Sequence, residues 1–319
     1  MAAACILPGI GTQRGVGRLC QTRPMPDGVL RVAQLNAGSF LEPDWEERRH
    51  EIVSWIDHLR PDVVCLQEIW QSDGSANTAG SIADSLAEPM AWVFGGHPAK
   101  GFSSDPTFRF GSAVLSRFEI ESHTLFDLGP ADAADPIVRS IGWELLHAHT
   151  AGLDVFSTHL APAPSHGVYR VAQVRAIDAH IRRIRGSADD LRGFGMPRTT
   201  MPSILCGDFN AEPDSDEIRW LCGLTSFEGD TTFHQDAWRV AGEGPGLTQD
   251  WRDNYIAAGL NVHRKRIDYV FVGDPFLREG NAGRVLSARL GFHEPRTGIA
   301  ASDHRGVVVD IAWPTRPSA

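Results

Sequence analysis

The chain has 319 residues, with 40 Asp and Glu against 30 Lys and Arg and a formal net charge of −10. That balance offers no broad basic footprint for nucleic acid, the densest basic run being His263 to Arg266; it weakens a nuclease reading without removing it, since a bound cation and a few local arginines also attract phosphate. Five cysteines without C-x-x-C spacing argue against a secreted disulfide framework and for a reduced, cytoplasmic setting, and no apolar run reaches the roughly eighteen residues of a membrane span.

Residues 1–24 carry glycines and arginines, no acid, and neither helix nor strand period. They are expected to be a disordered extension, or an over-extended start ahead of Met25, with a weak presequence as the alternative. From there to residue 319 a single domain is expected, because the polar strand ends described below lie between Asn36 and His304 and have to converge.

The first strand, Arg31 to Ala37, alternates and ends at Asn36. A helix follows from about Asp44, an N-cap candidate, with Trp45, Ile52, Trp55, Ile56 and Leu59 at helical spacing and Pro61 as its stop. Asp62 to Leu66 is a near-continuous apolar strand of the kind buried on both faces, delivering Gln67 and Glu68 at its end. Ser81 to Ala87 reads as a short helix. Strands are expected at Ala91–Phe94, Phe110–Arg117, Ile120–Leu128 and Ile137–His147, with Gly, Pro and Asp-rich loops between them forming the rim of a site.

Leu153 to Leu160 alternates and ends in Thr158 and His159. A helix from about His166 to Arg185 carries an apolar side, Val168 to Ile184, and an arginine side read as a solvated face. Asp190 to Met201 reads as a loop insertion. The run P-S-I-L-C-G-D-F-N from Pro202 is a buried strand closing in Gly207, with Asp208 and Asn210 on one face and Phe209 on the other. After a helix at Asp214–Leu224 comes a long irregular region to Lys265 that carries Trp238, Trp251 and Tyr255. The final strands are Ile267–Val272, Arg284–Leu290 and Gly306–Ile311, with Ser302-Asp303-His304 just ahead of the last. Cys65 and Cys206 fall inside strands as small buried hydrophobes.

R-V-A-Q-L-N, D-V-V-C-L-Q-E, F-S-T-H-L, G-D-F-N, R-I-D-Y and S-D-H share one grammar, an apolar strand bordered by a polar or metal-capable residue. Together and in this order they resemble the endonuclease/exonuclease/phosphatase superfamily of metal-dependent phosphoesterases, over nearly all the chain after residue 30. The resemblance implies an α/β fold, a four-layer sandwich of two mixed β-sheets flanked by helices, with the site at one sheet edge. It also implies the roles. Glu68, Asn36 and Asp303 would hold or adjoin the metal, and an oxygen-only set suits Mg²⁺ or Mn²⁺. His304 would be the general base, with Asp268 as the acid that orients it. His159 would donate to a non-bridging phosphate oxygen, and Asp208 and Asn210 would hold water and phosphate.

His159 resembles the deoxyribonuclease, sphingomyelinase, deadenylase and inositol-phosphatase branches and disfavours an abasic-site enzyme, while R-I-D-Y departs from the inositol-phosphatase pattern. The expected activity is phosphodiester hydrolysis on a small or lipid-linked ester. A DNA or RNA nuclease is the alternative, and a non-catalytic binding module is a third.

Overall fold

The computed structural model describes residues 13–15, 28–99, 103–129, 134–135, 143–185, 201–260, 264–273 and 278–313. Among these, the strands form two mixed sheets. The first runs β1 (Gln13–Gly15), β4 (Ala91–Pro98), β5 (Arg109–Ser116), β3 (Val63–Gln71), β2 (Val29–Asn36), β13 (Gly306–Ala312), β12 (Val285–Gly291), with β2 and β3 parallel and the other pairs antiparallel. The second runs β10 (Gln235–Asp236), β11 (Asp268–Val272), β9 (Ile204–Asp208), β8 (Leu153–His159), β7 (Glu144–Thr150), β6 (Ile120–Asp127), with β8 and β9 its parallel pair.

Alternation along the strands builds three cores. Val32, Val63, Cys65, Val155, Ile204, Cys206, Val270 and Val309 fill the space between the sheets. Their neighbours one residue along, among them Ala33, Val64 and Leu66, pack against α1 (Trp45–Leu59) and α2 (Thr78–Ser85). On the other side Phe156, Leu205 and Phe271 pack against α3 (Gly167–Arg185) and α4 (Asp216–Leu221). The expected four-layer sandwich is what forms, because strands buried on both faces require cover on both. No helix among the described residues is long and apolar enough to cross a membrane. Cys65, Cys206 and Cys222 are buried free thiols.

Several boundaries differ from expectation. Gln13–Gly15, where no period was visible, pairs with β4, Gln13 opposite Phe94; the rest of the 1–24 extension lies outside the described residues. Asp44 holds the N-cap position of α1 in a left-handed conformation and makes no side-chain cap bond. α2 starts earlier than expected, since Asn77 Oδ1 accepts from the N–H groups of Ala79 and Gly80. β7 is displaced to Glu144–Thr150, and most of the expected Ile137–His147 strand falls outside the described residues, as does most of the Asp190–Met201 insertion. On α3, Val174, Ile177 and Ile181 are buried but Val168 is 72% exposed, and Arg185, assigned to a solvated face, is ion-paired to Asp154.

The long region before Lys265 contains β10, α5 (Ala237–Ala241) and α6 (Tyr255–Leu260). Trp238 in α5 is core. The His263–Arg266 run is not a free cationic patch. Arg264 pairs with Asp250 and Arg266 with Asp236, both at 2.7 Å, and His263 lies outside the described residues.

Candidate active site

The inner faces of the central strands change character toward one end of the sandwich. Val32 gives way to Gln34 and Asn36, Cys65 to Gln67, Val155 to Ser157 and His159, Cys206 to Asp208, and Val270 to Asp268, each step two residues along its strand. The apolar seam between the sheets therefore opens into a polar cleft at the edge where these strand ends meet. At its floor Gln34 and Gln67 exchange side-chain hydrogen bonds, Gln67 donates to Ser157 Oγ at 3.1 Å, and Gln34 to Asp268 Oδ1 at 3.3 Å.

All eight residues singled out from the sequence converge here. Asn36 Nδ2 donates to Glu68 Oε1 and to Asp208 Oδ2, both at 3.0 Å. His304 Nδ1 lies 2.7 Å from Asp268 Oδ2, while its Nε2 is 3.8 Å from Asp208 Oδ2 and 3.7 Å from Asp303 Oδ1. His159 Nε2 is 3.5 Å from Asp208 Oδ2 and 3.0 Å from Asn210 Nδ2. Asp208 Oδ2 is thus the point around which Asn36, His159 and His304 gather.

Two local backbone features aim these groups. Glu68 has φ of +58° where the β3–β5 register shifts between Leu66 and Ile69, a bulge that turns the carboxylate out of the ladder. A left-handed non-glycine residue costs about 1 kcal/mol. It is held there by Ser39 Oγ, which bonds the Glu68 carbonyl, and by the adjoining cluster of Phe40, Trp70 and Phe108. Gly207 permits β9 to approach β8, for a Cβ there would lie 2.3 Å from the Thr158 carbonyl oxygen. Phe209 is fully buried in the outer core, leaving Asp208 and Asn210 on the cleft side.

The electrostatics are those of crowded anions. Burial and repulsion from Asp303 push the Glu42 carboxyl up to about 10, against the opposing charge of Arg48 3.2 Å away. Burial likewise raises Glu68, whose side chain still reaches the surface, and Asp268. Burial works against the charged form of His304, yet Asp268, Asp303 and Asp208 outweigh it and hold the imidazole well above its ordinary range. The donor atoms fit a hard divalent cation: Glu42, Glu68 and Asp303 repel one another, and the set is all oxygen. Asp208, Asp268 and His304 also bring ligand-capable atoms within 4.8 Å of each other, but all three are buried, Asp268 completely, and Asp268 is the partner that orients His304, so that trio reads better as a hydrogen-bonded relay. Asn36 presents its amide nitrogen to the carboxylates while its Oδ1 accepts from the Gly38 N–H at 3.0 Å. In that orientation it positions ligands; ligating through oxygen requires the amide to turn over.

The sequence did not single out several supports. Glu42 accepts from the Asp303 N–H at 3.1 Å, Gln249 donates to Asp303 Oδ2 at 2.8 Å, Thr248 Oγ1 accepts from the Asp268 N–H at 3.2 Å, and Asn254 donates to the Ser302 carbonyl at 2.6 Å. Gln67 was visible as the partner of Glu68 in Q-E. The segment from Thr248 to Asn254 has no period to read, and only its packing on the S-D-H loop reveals it.

A family model described as "Endonuclease/Exonuclease/phosphatase family" matches residues 33–304, which span every one of these groups. The chain belongs to the endonuclease/exonuclease/phosphatase family. Among curated proteins it is similar to Nocturnin of Xenopus laevis, 24% identical over 283 residues, covering 86% of this chain and 66% of that one. It also resembles Protein angel of Drosophila melanogaster, 22% identical over 222 residues, covering 66% and 57%. The chain spans between 30% and 66% of the length of the curated relatives it matches. Two solved structures share the fold. The endonuclease/exonuclease/phosphatase from Beutenbergia cavernae has a TM-score of 0.62 and 23% identity, covering 92% of this chain and 73% of that one. D. rerio TDP2 complexed with single strand DNA product has a TM-score of 0.62 and 17% identity, covering 90% and 100%. Within this family of phosphoester hydrolases, the chain has its own polar strand ends on two sheets that meet at one cleft.

Proposed function

We propose that the chain is a Mg²⁺- or Mn²⁺-dependent phosphodiesterase in which His304, oriented by Asp268, takes a proton from the attacking water. The observation that carries this reading is the 2.7 Å His304–Asp268 bond buried beside Asp208 and facing the carboxylates of Glu68 and Asp303. Asp268 selects the tautomer that leaves Nε2 toward the cleft and stabilises the imidazolium once formed. Asp208 and Asn210 hold the water and the phosphate. His159, tied to Asn210, donates to a non-bridging oxygen as charge builds on it. Glu68 and Asp303 would hold the metal, with Asn36 at their side, and when bound it would supply positive charge to polarise the phosphoryl group and counter the carboxylate field around His304.

The preferred substrate is a small or lipid-linked diester, since Arg264 and Arg266 are committed to Asp250 and Asp236 and do not extend a phosphate track. A second reading, a nuclease acting on single strands, is favoured by Trp251 and Tyr255. They are 41% and 53% exposed on the segment that delivers Gln249 to the site, as platforms for bases to stack on. The relative solved with a single strand DNA product is consistent with it. The test is turnover of a small diester, its monoester, a phospholipid, and single-stranded and duplex oligonucleotides, in chelator and after adding back Mg²⁺ or Mn²⁺. Diester hydrolysis restored only by metal is expected. Undiminished turnover in excess chelator overturns the metal assignment, and activity confined to monoesters overturns the diester assignment.

A further inference from the structure

At the opposite end of the second sheet, and on its outer face, lies a second group of ligand-capable side chains. His147 and His149 are two residues apart on β7, so both imidazoles leave the same face. Asp154 on β8 is directly opposite His149 in the antiparallel register, beside the Phe156 that faces His147. Asp154 stands five residues before His159 on the same strand, about 16 Å in extended chain, and its side chain points to the helical layer where that of His159 points to the cleft.

We propose that His147, His149 and Asp154 form a zinc site distinct from the catalytic centre. Asp154 Oδ1 lies 3.0 Å from His147 Nε2 and 2.9 Å from His149 Nδ1, hydrogen bonds whose ring protons the ion would displace. Ligand atoms on neighbouring corners of a zinc tetrahedron with bonds near 2.05 Å are about 3.3 Å apart, so these two pairs would spread by a few tenths of an ångström, and all three ligand atoms lie within 4.8 Å of one another. Two imidazoles and one carboxylate form a donor set suited to zinc and unlike the all-oxygen set of the cleft.

The surroundings are built as the outer contacts of a zinc centre are. Arg185 bonds the other oxygen of Asp154, Oδ2, and the Met201 carbonyl, which fixes the carboxylate and leaves Oδ1 to the imidazoles. Glu121 Oε2 lies 3.7 Å from His149 Nε2, the ring nitrogen turned away from Asp154, a small closure short of the hydrogen bond by which a carboxylate backs a ligating histidine. Phe156 stacks on His147 at 4.6 Å and sets its ring plane. His149 is 34% exposed, which gives the ion a way in and leaves a fourth position for solvent or another ligand. The guanidinium of Arg185 opposes a dication, so the affinity belongs below that of closed structural sites.

The experiment is titration of the chain with Zn²⁺ against a chromophoric chelator, with Mg²⁺ in large excess to occupy the cleft. One equivalent of zinc is expected to bind and to raise the melting temperature. His147→Ala/His149→Ala should weaken that binding by more than about 100-fold and Glu121→Gln by about tenfold, the scale reported for outer-contact carboxylates. Glu68→Gln should retain the equivalent. Should the double variant fail to fold, wild-type protein titrated with Co²⁺ still decides: the visible absorption of a four-coordinate nitrogen-ligated ion supports the site. Absence of any zinc binding under excess Mg²⁺, or full retention in a double variant that melts as wild type does, overturns it.

Discussion

Nδ1 of His304 is engaged by Asp268 at 2.7 Å, and that bond determines which nitrogen faces Asp208 and the cleft. His304→Ala should lower kcat by about 10² or more, the usual scale for an acid–base group. Asp268→Asn should act in the same direction, since a neutral amide neither stabilises the imidazolium nor enforces its tautomer. Steady-state rates on protein of unchanged melting temperature check both; near-normal turnover in the alanine variant removes His304 from the mechanism. Glu68 makes a different demand. Its carboxylate is already raised by burial in the metal-free protein, so Glu68→Gln should weaken Mg²⁺ binding in a calorimetric titration without lowering the melting temperature in chelator. A large loss of metal-free stability would mean that Glu68 serves the fold instead.

Among the elements, α3 shows how a helix face is divided between core and polar ties. Val174, Ile177 and Ile181 fill the outer core, while Asp178, buried at 3% exposure, lies 3.0 Å from His234 Nε2, accepts from Thr232 Oγ1 at 2.5 Å and pairs with Arg182. Burial alone would raise its carboxyl, but these partners hold it below the ordinary value. A depressed folded pKa means stabilisation that is complete above the unfolded value of about 3.9 and is lost as pH falls through the folded one. Asp178→Asn should therefore cost about 2 kcal/mol at pH 7, and the gap to wild type should narrow below about pH 4. Urea unfolding at pH 7 and pH 3 measures it, and an equal gap at both refutes the assignment.

For the whole molecule, charge bears on the substrate. With a net charge of −10 and Arg264 and Arg266 paired to Asp250 and Asp236, the protein is expected to make few of the phosphate contacts that duplex binding draws upon. Polynucleotide binding should show a shallow salt dependence, releasing fewer than about three counterions where a duplex binder with 6–10 phosphate contacts releases more. Duplex cleavage should stay below small-diester turnover at physiological salt. Efficient duplex cleavage with a steep salt slope would transfer the assignment to the nuclease reading and leave the site residues as they stand.

The sequence by itself determined the apolar strands that carry Val32, Cys65, Val155 and Cys206, with the two-sheet sandwich implied only by the family resemblance, and it placed a polar residue at each of these strand ends. Those are local properties, since period and composition are set by immediate neighbours and survive without knowledge of distant ones. Only the tertiary structure decided what those ends do together. Asp208 Oδ2 became the meeting point of Asn36, His159 and His304 because parallel β2–β3 and β8–β9 bring their carboxyl ends to the same edge. Arg185, Arg264 and Arg266, cationic in the sequence, were neutralised by Asp154, Asp250 and Asp236, which lie 14 to 31 residues away. Glu42 and Gln249 were invisible for the same reason. A side chain without periodic context acquires a role only from what packs against it, and that is fixed by loop closures that no local pattern records.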